Sequence, residues 1–463
     1  MKSDPVPGLL GRAAEVLAAE FARLPGFAAA TEATDEAIAL VLDDVAHRLG
    51  DNYPYFHPLY AGQMLKPPHP VARAAYALAM KVNPNNHARD GGRASSEMEI
   101  EAVAGIAAMF GWKSGEFLGH LTSSGTIANL EALWVAGQMA PGQRILGSEQ
   151  AHYTHSRISG VLKIDFKQIA TDDRGRMNLE ALEAELRQGN VGSVVVTMGT
   201  TAIGAVDPLV EILALRERYG FLVHVDAAYG GYFGLIADDL EEPARRAFQA
   251  IGRADSIVID PHKHGLQPYG CGCVLFRDPG VGRFYKHESP YTYFTSSQLH
   301  LGEISLECSR AGAAAVALWA TQRLLPLERG GEFARGLAKG RRAALELDRR
   351  LRQDGRFQAM TAGRPELDIV VWKVRADDPA TASELAENAF LACSKRDLHL
   401  ALVQLPLRWF DQPASPQAPP GRSEINHTSV RCLRSVLMKP EHERWLDEIW
   451  DRLVAASSET IEE

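Results

Sequence analysis

Cysteine is scarce: five residues in a chain of 463, with no CxxC pair among them. Cys271-Gly-Cys273 is too tightly spaced for a usual zinc knuckle, so no metal site is expected. A sparse, odd count suits the reduced thiols of a cytosolic protein and excludes a disulfide-stapled secreted scaffold. Long hydrophobic runs are missing too. The longest small or apolar stretches, Ala102 to Trp112 and Ala311 to Ala320, fall far short of the roughly 20 residues that cross a bilayer. Glu15, Glu20 and Arg23 interrupt the N-terminal stretch, which excludes the apolar core of a secretory signal. Positive charge is not in excess either. A net charge of −9 argues against nucleic acid or an anionic membrane as the main partner. The expectation is a soluble, cytoplasmic protein.

What is present is an ordinary globular composition, 46% apolar and 23% charged. The chain is too long for one compact core, so at least two domains are expected. Apolar spacing at Leu9, Leu10, Ala13, Val16, Leu17 and Phe21, and again from Ile38 to Leu49, predicts a helical arm. A turn-rich stretch with Tyr53, Tyr55, Phe56 and Tyr60 follows, then helices over 70–82 and 96–111. From about 112 to 280 short apolar strands alternate with helices, with strands at 194–197, 222–225, 256–259 and 273–276. That rhythm predicts an α/β fold with a mostly parallel sheet covered on both faces. Long helices are expected over 303–323 and 332–352. Strands at 368–372, 400–404 and 429–434, alternating with helices at 381–395 and 440–456, predict a small α+β unit. The divisions read as an arm over 1–60, a large domain over 61–330 and a C-terminal domain over 331–463. The proline-rich segment Asp411 to Gly421 reads as a surface loop.

Two strand ends carry the chemistry. His224-Val-Asp226-Ala-Ala-Tyr229 closes one buried strand, and Asp260-Pro-His262-Lys263-His264 closes another. In an open α/β sheet both fall at the carboxyl edge, where ligands gather. A lysine amine can take the aldehyde of pyridoxal phosphate, and a buried carboxylate can pair with the pyridinium nitrogen so that the ring accepts electrons. A lone surface lysine or a strand-end aspartate would mean little. The pair, with small residues Ala227 and Ala228 beside the acid, points to that cofactor. Leu121-Thr-Ser-Ser124-Gly125-Thr126-Ile-Ala-Asn129 is a small-residue turn opening a helix, where backbone N–H groups and hydroxyls can hold a phosphate. His152 could stack on a pyridine face, and Thr200-Thr201 could hydrogen-bond the ring hydroxyl.

These segments resemble the group II pyridoxal-phosphate-dependent amino acid decarboxylases. The likeness runs through Thr-Ser-Ser-Gly-Thr-Ile-Ala-Asn at 122–129, Ala-His-Tyr at 151–153, Met-Gly-Thr-Thr at 198–201, His-Val-Asp-Ala-Ala-Tyr at 224–229 and Asp-Pro-His-Lys at 260–263. It departs at Ile127, where the family often has glutamate, and at His264, where many members carry tryptophan or another bulky residue. The resemblance implies fold type I, with a mostly parallel seven-stranded sheet in the large domain. It implies that Lys263 binds the cofactor covalently, Asp226 pairs with the ring nitrogen, His152 stacks on the ring, and Gly125, Thr126 and His262 hold the phosphate, beside the Ser124 that the turn itself suggests. Thr201 would touch the ring hydroxyl or the substrate carboxylate. It further implies a homodimer with active sites at the subunit interface, and a mobile loop carrying a tyrosine; that tyrosine or His152 would return a proton to Cα. Tyr291 is favoured over Tyr293 for that role.

The reaction expected is decarboxylation of an L-amino acid, with an aromatic one favoured, to the amine and CO2. The rivals are another reaction of the same cofactor (C–C lyase, aldolase or aminotransferase chemistry) and a catalytically silent binding protein of the same fold. An aminotransferase would clamp the substrate carboxylate with an arginine, for which Arg431 and Arg434 stand on a C-terminal strand.

Overall fold

The computed structural model describes residues 4–27, 32–88, 91–286, 305–361, 363–410 and 429–462. Its larger sheet has seven strands: β1 (Leu118–Thr122), β2 (Arg144–Ser148), β3 (Phe166–Ile169), β4 (Val191–Thr197), β5 (Leu222–Asp226), β6 (Ser256–Ile259) and β7 (Gly272–Phe276). Their spatial order is β1-β7-β6-β5-β4-β2-β3. Neighbours from β3 through β6 pair in parallel, and β7 runs antiparallel to both β6 and β1. β4 and β6 are buried at every residue, as strands sandwiched between helices must be. Their Val and Ile content fits that setting, because branched side chains pack well on a pleated surface. This is the mostly parallel seven-stranded sheet of fold type I.

A second, antiparallel sheet of four strands, β8 (Phe357–Ala359), β9 (Ile369–Val374), β10 (Ala401–Pro406) and β11 (Ser429–Val436), has the order β10-β11-β9-β8. Helices Glu332–Gln353, Pro379–Ser394 and His442–Glu462 cover it. Leu59 and Ala61 belong to this sheet's core, with Trp372 and Leu433. Near the N-terminus, α1 (Val6–Glu20) rests on α3 (Pro70–Met80), while α2 (Asp35–Leu49) has no buried residue.

The structure departs from the sequence reading at several elements, the strand Phe357–Ala359 and the helix Ala244–Ala250 among those not expected. The helix expected from 303 begins at Gly312. Arg310 instead exchanges hydrogen bonds with Asn85 and Asn86, and Ala311 bridges to Asn85, which ties the preceding residues to that segment and not into a helix. Strand β3 and the helix Leu179–Arg187 were not anticipated. β3 is a short edge strand, and Lys167 and Gln168 lie exposed in it, so no apolar run announces it. The segment Asp411 to Gly421 lies outside the described residues. Among the described residues, no helix is long and apolar enough to cross a membrane, and no group of three or more potential ligands could hold a metal ion.

A buried ion pair fixes the approach to β1. α4 (Arg93–Met109) carries Glu99, whose Oε1 accepts from Arg310 Nη1 at 2.6 Å and from Leu121 N at 3.1 Å. Arg310 also donates to Leu121 O at 2.7 Å and to Asn86 O at 3.0 Å. Burial alone would raise the Glu99 carboxyl. The guanidinium outweighs it and brings the group below its usual value. Removing one partner strands a buried charge, so Glu99→Leu should lower the unfolding free energy by about 3–5 kcal/mol. Thermal melts compared with the parent protein check this.

Candidate active site

Five strand ends converge on one cleft of about 210 Å³, lined by Ser124, Gly125, Thr126, His152, Thr201, Asp226, His262 and Lys263. Every described residue proposed for the site from sequence is therefore in one place. Tyr291 lies outside the described residues.

The turn after β1 feeds α5 (Gly125–Met139). Ser124 caps that helix, its Oγ accepting from Ile127 N at 3.3 Å. The hydroxyl thus supplies the cap without a glutamate at 127. Gly125 is required for space, because a Cβ there would meet both carboxylate oxygens of Asp260 at 2.5 Å. The helix N-terminus and the Thr126 hydroxyl face the cleft, a ready anion cradle.

The lysine follows β6. Its Nζ lies 3.0 Å from Asp260 Oδ2. His262 turns its Nδ1–H to Cys271 O at 2.7 Å, stacks on Tyr269 with centroids 4.8 Å apart, and brings Nε2 to 3.5 Å from the same Asp260 oxygen. Burial lowers the His262 pKa. Asp260 Oδ1 and, at the end of β4, Thr197 Oγ1 are buried with no hydrogen-bond partner among the described residues.

Asp226 ends β5. Its Oδ1 accepts from Ala228 N at 3.1 Å and its Oδ2 from His155 Nε2 at 2.8 Å. Burial by itself would raise this carboxyl. The His155 hydrogen bond and charge, with Lys263 and His224 nearby, outweigh burial and hold it well below the usual carboxylate range. Asp226 is thus a fixed negative charge in a cleft. His224, beside it, is held down to about 3 by burial and is neutral. It links Asn129 Oδ1 and Ser256 Oγ, each at 2.8 Å.

His152 precedes α6 (Thr154–Leu162). Thr154 N–H points at its Nδ1 from 3.4 Å and the Thr154 hydroxyl lies at 2.8 Å, so Nδ1 is an acceptor and the proton sits on Nε2. Burial lowers its pKa, which keeps the ring neutral near pH 7. In the pair Thr200-Thr201 the roles separate. Thr200 Oγ1 accepts from Ala205 N at 3.0 Å and shapes the loop, leaving Thr201 to face the cleft. Arg434 on β11 braces that loop, donating to Thr201 O at 2.7 Å and to Ala202 O at 3.1 Å. Arg431 instead pairs with Glu387 at the surface.

Sequence reading missed His155, Asp260, Thr197 and Asn129. Of these His155 had a signal, lying three residues beyond His152. Only the fold reveals which of the two touches Asp226. The aromatic stretch at 53–60 does not line the cleft: Tyr53, Tyr60 and His399 border a separate pocket of about 160 Å³.

The residues fit pyridoxal phosphate. The cleft offers a helix N-terminus with hydroxyls for a phosphate, a fixed carboxylate for a ring nitrogen, an amine for an aldehyde, and buried unpartnered polar atoms at its wall. The fold and this donor set define a fold type I pyridoxal-phosphate enzyme. Residues 54–375 match the family described as the pyridoxal-dependent decarboxylase conserved domain, and the chain belongs to that family, as a group II member. It is similar to an L-tyrosine decarboxylase of Enterococcus faecium, with 27% identity over 79% of this chain and 77% of that one. A probable L-tyrosine/L-aspartate decarboxylase of Methanothermobacter thermautotrophicus is 30% identical over 72% of this chain and 88% of that one. The fold matches the crystal structure of Oryza sativa TDC with PLP and tryptamine, with a TM-score of 0.76, 18% identity and coverage of 99% of both chains. The protein is a pyridoxal-phosphate-dependent amino acid decarboxylase, a carboxy-lyase.

Proposed function

We propose that the substrate is an aromatic L-amino acid, released as its amine. The observation that carries this reading is the composition of the cleft wall. No arginine is among the described residues that line it, and Arg434, behind Thr201, directs its donors to backbone carbonyls. A side-chain carboxylate would therefore lack a guanidinium partner. The L-tyrosine decarboxylase of Enterococcus faecium supports the same choice. An aminotransferase-type clamp is not favoured, since Arg431 and Arg434 are both engaged elsewhere.

Bound pyridoxal phosphate supplies a covalent anchor for the amine and a ring that takes up the electron pair left as CO2 departs. In this proposal Lys263 is the amine that holds the cofactor, and Asp226, kept ionised by His155, holds the proton on the ring nitrogen. Ser124, Gly125, Thr126 and His262 hold the phosphate. His152 stacks on the ring, with its Nε2–H available for proton movement, and Thr201 orients the ring hydroxyl or the substrate carboxylate. Tyr291 returns the proton to Cα. A panel of L-amino acids, with CO2 trapped and amines identified by mass, tests the reading. Tyrosine, tryptophan or phenylalanine should give the highest kcat/KM. Exclusive turnover of aspartate or glutamate, or ketoacid formation without CO2, would overturn it.

The proposal includes a cytoplasmic homodimer, with the chain divided into an arm over 1–60, a large domain to 330 and a C-terminal domain beyond. Exposed apolar side chains along one face of α2 support the dimer: Ile38 is 47% exposed, Val41 63% and Val45 44%. A partner surface would cover such a stripe. Sedimentation of the holoenzyme should give a dimer, and the variant Val41→Glu/Val45→Glu should shift it toward monomer. A monomeric parent protein would remove the interface from the proposal.

A further inference from the structure

A second cavity, of about 360 Å³, lies apart from the active cleft, where the segment 66–70, the helix Glu332–Gln353 and the turn 439–441 meet. Six basic side chains line it, Lys66, His69, His264, Arg335, Lys339 and Lys439, of which Lys439 and His264 are the most deeply buried. Lys439 is 2% exposed, which is unusual for a lysine with no ion pair among the described residues, and His264 is 1% exposed, its pKa pushed well below the usual value by burial and by the Lys66 and Lys263 charges. The Lys439 ammonium donates to Tyr60 O at 2.6 Å, and Lys66 reaches only Met438 O, at 3.4 Å. Each ammonium has three donors, so these bonds use a minority of them. His264 Nε2 stands 3.4 Å from Asp368 Oδ2, and its Nδ1 meets no hydrogen-bond partner among the described residues.

The acid nearest this cluster is already committed. Asp368 Oδ1 accepts from Tyr229 OH at 2.5 Å. Glu332 and Glu441 stand exposed at the rim. Burial brings the Lys66 ammonium down to about 8, against an upward pull from Asp368 and Glu441, and burial with the Lys66 charge brings that of Lys439 to about 7 against Glu441. Apolar side chains, Leu266, Leu325, Phe333 and Leu337, complete the lining. Buried basic groups together with aliphatic and aromatic side chains suit a ligand with an acid group and an apolar body. The volume is in the range of small-molecule sites.

We propose that this cavity binds a small organic anion, its acid group against Lys66, Lys439 and His264 and its apolar body against Leu266, Leu325, Phe333 and Leu337. The site shares a wall with the active cleft. Tyr229 lines that cleft, bonds Asp368 and packs its ring on His264 with centroids 4.7 Å apart. His264, which lines the cavity, is also a position where this chain departs from its family's common bulky residue.

The test uses the holoenzyme and the probe 4-bromobenzoate, with 4-bromobenzamide as its uncharged counterpart. Calorimetry should show the acid binding at millimolar concentrations or below and the amide at least tenfold more weakly. In soaked crystals the bromine's anomalous signal should lie in the cavity beside the helix Glu332–Gln353. Gly336→Leu puts bulk into the cavity from a position where a Cβ meets only Pro440 Cγ, at 3.4 Å, and should weaken the probe at least tenfold. Lys439→Met should do the same without filling space. The cofactor's visible absorption should persist in both variants, which reports folding and an intact active site separately. No binding, equal binding of acid and amide, or binding unchanged in Gly336→Leu would each overturn the site. None of these readouts depends on turnover, so they stand or fall apart from the decarboxylase substrate.

Discussion

Replacing Lys263 by alanine is expected to lower kcat/KM by about four orders of magnitude, equivalent to about 5.5 kcal/mol of transition-state stabilisation. The lysine is the amine that lies in the cleft with the Asp226 carboxylate and the α5 N-terminus. No neighbouring lysine or arginine is among the described lining residues to take over. Arginine should not rescue, because a guanidinium does not lose its proton and cannot act as a nucleophile near neutral pH. Alanine also leaves Asp260 without its 3.0 Å ion-pair partner, which could lower stability independently of chemistry. Lys263→Gln separates the two effects, since its amide can still donate to Asp260. The glutamine variant should melt closer to the parent than the alanine variant while remaining equally inactive. If either variant retained more than about a hundredth of the parent kcat/KM, Lys263 would not be the covalent residue.

How far the sequence announced this arrangement depended on whether chemistry or geometry chose each residue. Lys263 and Asp226 were legible because their functions tolerate few residue types and both stand at strand ends. β4, β5 and β6 were legible because burial on two faces selects short runs rich in Val, Ile and Leu. His155 was not legible as a partner of Asp226. It stands three residues after His152, in the first turn of α6, but which imidazole reaches β5 depends on how that helix lies on the sheet. Asp260 read as part of a turn, and its contacts with Lys263, His262 and Gly125 exist only once β1 and β6 are brought together across β7. Edge strand β3 carries exposed Lys167 and Gln168 and so leaves no apolar trace. The cavity beside Lys66 was invisible for the same reason as His155. Its walls come from four distant segments, and its basic groups resemble surface lysines until the fold buries them.

Asp226→Asn should reduce kcat by about two to three orders of magnitude while leaving the cofactor bound, because it removes a preorganised charge without removing bulk. The more discriminating measurement concerns His155. In the parent protein Asp226 stays ionised well below the usual carboxylate range, since the His155 bond and charge overcome the upward push of burial. It therefore contributes no fall in activity as pH drops from 7 toward 5. His155→Gln keeps a donor but removes the charge, so burial meets less opposition and the Asp226 pKa must rise. The sign is fixed. The acid limb of the kcat profile should move to higher pH in His155→Gln, with a loss at pH 7 of roughly tenfold to a hundredfold, the scale of other supporting partners of catalytic groups. In an Asp226→Asn background the same substitution has no ionisation left to affect. The double variant should then be no slower than Asp226→Asn alone, a non-additivity that a purely structural role for His155 would not produce. If the two losses instead multiply, and the pH profile of His155→Gln keeps the parent's shape, His155 supports the fold of α6 and does not set the charge on Asp226.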